Sequence, residues 1–125
     1  MPVNSIVHTV QTDLSDAQLL TLTGRLDAEA APEFEQRCAR LIEGQSRTLI
    51  VNVGALDYLS SAGLRVLLIT GKALQRQNGR LVLVASAGPV RQIVELAGFD
   101  KIFPLCTTVD EAAKQTAGRS SILDK

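Results

Sequence analysis

The chain has 125 residues, of which 46% are hydrophobic and 21% charged, and this composition is typical of one folded domain and excludes a disordered chain. Thirteen basic residues balance thirteen acidic ones, so no net charge favours nucleic acid or an anionic membrane surface as a partner. The two cysteines, Cys38 and Cys106, are far apart and are expected to be reduced in the core of a cytoplasmic protein, with a disulfide between them as the alternative.

The hydrophobic pattern predicts strands and helices that alternate after a starting hairpin. Continuous apolar runs are typical of central strands, and apolar residues three and four positions apart are typical of one helix face. The proline at 104 confines the last strand to a sheet edge. In chain order the predicted elements are strands 3–11 and 19–23, helix 28–42, strand 48–53, loop 54–60, helix 61–77, strand 81–85, helix 89–96, strand 102–105 and helix 109–116.

This order predicts an α/β domain with a mixed β-sheet and about four helices. The sheet is expected to be largely parallel after the hairpin. We expect a single domain over 1–117 and a polar, flexible tail over 118–125.

Motifs of the common enzyme and cofactor sites are missing. The sequence contains no glycine-rich phosphate-binding motif, no serine-hydrolase elbow and no Cys/His metal cluster. The first residues lack the pattern expected of a signal peptide, and no apolar run approaches the ~20 residues that a membrane span requires. We therefore predict no catalytic residue, no metal, no cofactor and no membrane insertion.

Two adjacent serines, Ser60 and Ser61, stand between a predicted loop and the long helix 61–77. Serine is a preferred N-cap, so one interpretation is that Ser60 only caps the helix. The other interpretation is regulatory phosphorylation, which would place a charge of about −1.5 to −2 at the positive end of the helix dipole. Such a phosphate would be tolerated by the fold and would change the surface that a partner meets.

The long helix is predicted to carry three stripes. One apolar stripe is expected to pack on the sheet, one basic stripe adjoins the serines, and a second apolar stripe lies either inside the domain or on a binding face. The stripe expected to pack on the sheet consists of Leu64, Leu67, Leu68, Gly71 and Leu74. The basic stripe consists of Ser61, Arg65, Lys72 and Arg76. The second apolar stripe consists of Ala62, Val66, Ile69 and Ala73.

A second loop of interest, Gly24-Arg25-Leu26-Asp27, follows the second predicted strand. Asp27 either caps the first helix or shares a loop surface with Ser61.

The chain resembles the STAS-domain proteins of the bacterial anti-sigma-factor-antagonist type over about 3–117. The resemblance rests on Gly24-Arg25-Leu26-Asp27, on Leu49-Ile50-Val51-Asn52-Val53, and on Tyr58-Leu59-Ser60-Ser61-Ala62-Gly63-Leu64-Arg65. It implies a phosphorylatable binding module that is not an enzyme. The unmodified form sequesters an anti-sigma factor that is also a serine kinase, and a phosphatase reverses the phosphorylation.

The resemblance also implies the site residues. The position that matches the family's phosphorylated serine is Ser61, with Ser60 as the alternative. The residues expected to contact the partner are Asp27, Asp57, Tyr58, Ser60, Ala62, Gly63, Arg65, Val66, Ile69 and Lys72.

Two other functions remain open from the sequence. One is a constitutive STAS scaffold subunit of a signalling or lipid-transport complex, in which the second apolar stripe is a permanent interface. The other is a small enzyme or nucleotide-binding domain whose basic stripe contacts phosphates, although no glycine-rich cradle supports it.

Overall fold

The structure is a computed structural model that describes residues 4–11, 16–43 and 48–114, with side chains described from Ala17 onward. The predicted tail at 118–125 lies outside these residues. The strands are β1 (Asn4–Gln11), β2 (Asp16–Leu26), β3 (Thr48–Asn52), β4 (Leu56–Leu59), β5 (Arg80–Val84) and β6 (Leu105–Cys106). The helices are α1 (Ala31–Glu43), α2 (Ser61–Arg76), α3 (Pro89–Leu96), a short 3₁₀-helix (Phe99–Lys101) and a last helical segment over 109–114.

The sheet is mixed, as predicted. Its strand order is β1-β2-β3-β5-β6, and β4 pairs with the end of β2 outside this path. Strand β1 runs antiparallel to β2, whereas β3, β5 and β6 follow in parallel. Helices connect the parallel strands, because such strands cannot be joined by a tight turn. The α/β class and the starting hairpin are therefore confirmed.

The two central strands are buried on both faces, as their continuous apolar runs predict. Val51 and Leu83 lie opposite each other in the register and point into the larger core cluster, which also contains residues of α1, α2 and α3. Their neighbours Ile50 and Val82 point to the other face, where they form a smaller cluster with Ala112 of the last helical segment. Residues of one strand alternate between these faces because the side-chain period of a strand is two.

The predicted loop at 54–60 is wrong, because Leu56–Leu59 forms strand β4. The Asn52 side chain accepts a 3.0 Å hydrogen bond from the backbone N–H of Gly54, and this turn carries the chain away from β3. The chain then pairs in parallel with β2, and the register between the two strands shifts between Gly24 and Arg25. Only the two ends of β4 are buried, so the strand lacks the alternating pattern that predicts a strand.

The last strand is shorter and later than its predicted range of 102–105. Residues 99–101 form the 3₁₀-helix, Ile102 is exposed, and regular pairing covers only Leu105 and Cys106. Phe103 is buried and packs near Gly71 of α2. The segment before β6 therefore contributes a side chain to the core before the chain joins the sheet. Strand β6 does lie at the sheet edge, as Pro104 predicts.

The start of helix α2 and its exposed face

Strand β4 leads directly into α2, and Ser60 joins the two. The backbone N–H and the hydroxyl of Ser60 both donate to the carbonyl oxygen of Leu26, at 2.9 and 2.8 Å. The same hydroxyl accepts a 3.1 Å hydrogen bond from the N–H of Gly63. Ser60 is therefore the N-cap of α2, as the capping interpretation predicts, and its side chain is buried.

Ser61 differs from its neighbour, because it is the first residue of α2 and is exposed to solvent. The first turn of the helix contains no acidic residue. The positive end of the helix dipole therefore lacks a compensating carboxylate in that turn. A negative group on the Ser61 hydroxyl would be stabilised there.

Gly63 brings α2 close to the end of β2. A Cβ atom at this position would lie 2.7 Å from Cγ of Leu26 and 3.0 Å from Cδ1 of Leu59. The absent side chain lets the helix start touch the strand, and any larger residue would have to displace the Leu26 and Leu59 side chains. Gly63, which the sequence analysis placed among the partner-contacting residues, is buried and has this packing role.

The buried face of α2 is rotated relative to the prediction. Its members share near-complete burial and are Gly63, Val66, Leu67, Thr70, Gly71 and Leu74. Leu64 and Leu68, which were expected to pack fully, are only half-buried. The two glycines explain the rotation, because a helix approaches its neighbours most closely where it lacks side chains.

The prediction that Val66 contacts a partner is wrong. Val66 was assigned to a second apolar stripe available to a partner, but it is only 3% exposed and belongs to the larger core cluster. That stripe is divided by the structure: Val66 is core, Ala62 and Ala73 are half-buried, and Ile69 is 41% exposed. Of this stripe, Ile69 is the large side chain that reaches the surface.

The exposed side chains of α2 form one continuous stripe that begins at Ser61. We call it the exposed face of α2, and its members are Ser61, Arg65, Ile69, Lys72 and Arg76; Gln75 is also exposed and lies beside this stripe. Their spacing of three and four residues keeps them on one side of the helix. The stripe combines one large apolar side chain, Ile69, with three cations.

Arg25 and Tyr58 form a contact beside the helix start that the sequence analysis missed. The guanidinium of Arg25 lies 4.5 Å from the centroid of the Tyr58 ring, in cation–π geometry. The two residues are register partners on β2 and β4. The contact could not be predicted from the sequence, because Arg25 and Tyr58 become neighbours only if 56–59 is a strand that pairs with β2. Tyr58 is 40% exposed, and Asp57 beside it is exposed as well.

Asp27 caps α1, as one of its two interpretations predicts. Its carboxylate accepts a 2.9 Å hydrogen bond from the N–H of Ala30. Because Leu26 anchors Ser60, consecutive residues of β2 and its loop hold the starts of both helices. Asp27 is half-buried in this position.

The two thiols are free and buried, and neither has the environment of a nucleophile. Burial raises the pKa of the Cys38 thiol from 9.0 to about 11, and the hydrogen bond with the Thr70 side chain opposes this only in part. Burial also raises the pKa of Cys106, and the nearby Glu111 carboxylate adds to the effect. Among the described residues, no group of three or more His, Cys, Asp or Glu side chains is arranged to hold a metal.

Within the same residues, no helix has both the length and the apolar character to cross a membrane.

Comparison with known proteins extends these observations. The family model for the STAS domain matches residues 9–112. The protein named "Putative anti-sigma factor antagonist BtrV" of Bordetella bronchiseptica is 36% identical over 102 residues, which cover 81% of this chain and 88% of BtrV. The anti-sigma-F factor antagonist RsfB of Mycobacterium tuberculosis is 27% identical over 92% of this chain and 93% of RsfB.

Solved structures of anti-sigma factor antagonists have the same fold as this chain. The crystal structure of an anti-sigma factor antagonist from Mycobacterium paratuberculosis superposes with a TM-score of 0.78 at 27% identity, over 92% of this chain and 93% of the other. The unphosphorylated form of the anti-sigma factor antagonist SpoIIAA has the same fold, with a TM-score of 0.75 at 22% identity over 92% of this chain and 97% of the other. The match of the family model over most of the sequence decides the assignment: this chain belongs to the STAS domain family.

Proposed function

We propose that this protein is an anti-sigma factor antagonist that binds its anti-sigma factor when Ser61 is unmodified and releases it when Ser61 carries a phosphate. It acts as a binding protein in a regulatory circuit and not as an enzyme. The names of its relatives BtrV and RsfB support the general function. The observation that carries the switch is the contrast between two adjacent serines, one buried and one exposed.

Ser61 is the residue in this pair that a kinase can reach. Phosphorylation of Ser60 would remove the hydroxyl proton that it donates to Leu26 and would place a dianion in a buried position. Phosphorylation of Ser61 breaks none of these hydrogen bonds and puts the charge at the favourable end of α2. The exposure of the two hydroxyls therefore favours Ser61 over the alternative Ser60.

The exposed face of α2 is the proposed docking surface. It starts at Ser61 and continues through Arg65, Ile69 and Lys72, so a phosphate at Ser61 would stand at the end of the contact. An apolar residue framed by cations suits a partner surface with an apolar patch and acidic neighbours. A dianion added at this edge repels such a partner, which is the physical basis of release.

The proposed partners follow from this scheme. The anti-sigma factor is itself the serine kinase, a phosphatase restores the unmodified form, and the exchange takes place in the cytoplasm. No cofactor or nucleic acid takes part in the contact that this chain makes. The net charge of zero is in keeping with a protein partner.

Phosphopeptide mass spectrometry on the protein from its own cells is the first test. Trypsin releases residues 48–65 as one peptide that contains both serines. We expect a phosphate on Ser61 in part of the population. A phosphate on Ser60 would contradict the site assignment, and a well-detected peptide without phosphate under every growth condition would favour the constitutive scaffold instead.

Binding measurements test the switch itself. Ser61→Ala is expected to bind the anti-sigma factor as tightly as the unmodified protein, and Ser61→Asp to bind it more weakly. Ser86→Asp is the matched control, because Ser86 is an exposed serine outside α2 and gains the same charge. Equal binding by Ser61→Ala and Ser61→Asp would contradict the proposal.

A further inference from the structure

Arg65 is the cation nearest in sequence to Ser61 on helix α2. The two residues are four positions apart on α2, and both are exposed. Side chains at this spacing have Cβ atoms about 5–6 Å apart. Helical side chains lean towards the N-terminus of the helix, so Arg65 leans towards Ser61.

Arg65 has no acidic partner on its own helix. The positions three and four residues away on either side are Ser61, Ala62, Leu68 and Ile69. In the part of the chain that the structure describes, no carboxylate lies within 4.0 Å of the Arg65 side chain, whereas Arg91 forms an ion pair with Glu95. The guanidinium therefore stays available to an anion that appears beside it.

The other arginine near this end of the fold is already engaged. Arg25 projects from β2 and holds its guanidinium over the Tyr58 ring. To reach a phosphate it would have to give up that contact, whereas Arg65 would give up only water. The geometry therefore favours the helix residue over the strand residue.

We propose that phosphorylated Ser61 pairs with Arg65, so that the modification both adds a dianion to the exposed face of α2 and removes the first cation from it. This inference rests on the proposed function, since it assigns the regulation of the same site. In the unmodified protein Arg65 is free to contact an acidic side chain of the partner. In the phosphorylated protein the guanidinium is held within the chain by charge-assisted hydrogen bonds. Release then has two causes rather than one.

The test places phosphoserine at position 61 of the full chain through an expanded genetic code, so that no kinase is needed. The second pKa of the phosphate, ordinarily near ~6, is then followed by ³¹P NMR. An adjacent cation favours the dianion and lowers this pKa. We expect the pKa to rise by about 0.5 pH unit in Arg65→Gln, a value reduced by the solvent exposure of the pair.

Two further variants make the result specific. Arg65→Lys keeps the charge and is expected to restore most of the lower pKa. Arg25→Gln is the matched control and is expected to leave the pKa unchanged. An unchanged pKa in Arg65→Gln, or an equal rise in Arg25→Gln, would overturn the pairing. Circular dichroism of the unphosphorylated variants checks that each is folded.

The outcome is separable from that of the proposed function. Because the phosphate is installed during synthesis, a shifted pKa establishes the pair even if cells never phosphorylate Ser61. Conversely, phosphate found on Ser61 in cells together with an unchanged pKa in Arg65→Gln would support the switch and reject the pair.

Discussion

The hydroxyl of Ser60 donates a 2.8 Å hydrogen bond to the carbonyl oxygen of Leu26, which lies 34 positions earlier in the chain. The same hydroxyl caps α2 through the N–H of Gly63. One side chain thus fixes the end of β2, the end of β4 and the start of α2 relative to one another. These hydrogen bonds of Ser60 also position the exposed Ser61, which takes no part in them.

Removal of the two hydroxyls is therefore expected to have unequal effects on stability. Ser60→Ala loses a helix cap and leaves the Leu26 carbonyl with one hydrogen bond fewer, and we expect it to lower the free energy of unfolding by about 1–2 kcal/mol. Ser61→Ala is expected to change it by less than about 0.5 kcal/mol, because the residue is exposed. Urea unfolding of both variants measures the difference. Equal losses in the free energy of unfolding would contradict the structural role assigned to the Ser60 hydroxyl.

Substitution of Gly71 is expected to be far more damaging. A Cβ atom there would lie 2.3 Å from two ring atoms of Phe103. Gly71→Ala therefore forces the ring or the helix to move, and we expect a loss of about 2–3 kcal/mol in the free energy of unfolding. The control is the same substitution in a Phe103→Leu background, where the smaller side chain relieves the clash. An undiminished cost in that background would show that the ring is not the obstacle.

The raised pKa of Cys38 predicts a loss of stability at alkaline pH. The unfolded thiol ionises near pH 9.0, whereas the folded thiol stays neutral until about pH 11. Between these values the unfolded state binds fewer protons, so the free energy of unfolding decreases as pH rises. The stabilisation is present below pH 9 and is lost as pH rises through the folded pKa.

Urea unfolding between pH 8 and 11 measures this dependence. Because the pKa of Cys106 is raised as well, the comparison is made in a Cys106→Ala background. Cys38→Ala in that background should show a weaker decline over the same range. A decline of equal steepness would mean that other groups cause it. In the native protein Cys38 should also resist a thiol reagent at pH 8 until the chain unfolds.

Ile69 is expected to be an anchor of the proposed docking surface. Ile69→Glu puts a charge in the middle of the exposed face of α2, and we expect at least about tenfold weaker binding of the anti-sigma factor, or about 1.4 kcal/mol. Stability should change little, because the side chain is already 41% exposed. Gln36→Glu on α1 is the control, since it adds the same charge at an exposed position elsewhere. Calorimetric titration compares the two, and equal affinities would place the partner on another surface.

Most of the fold was predictable from the sequence because its elements follow regular periods. The apolar runs around Ile50 and Val82 identify central strands, and the serines before Ala62 mark the start of a helix. Strand β4 was not predictable, since a strand buried only at Leu56 and Leu59 has no alternation to detect. The contact between Arg25 and Tyr58 was missed for the same reason.

The local sequence determined that a serine would cap α2 and that another would follow it, because capping depends on residue type and on neighbours one turn away. It could not decide which of Ser60 and Ser61 is buried and which is exposed. That choice depends on Leu26, which contacts Ser60 only after β4 has paired with β2. Likewise, the face on which Val66 lies is set by how closely Gly63 and Gly71 let α2 approach Leu26 and Phe103. Burial is a property of packed neighbours, so only the tertiary structure decides it.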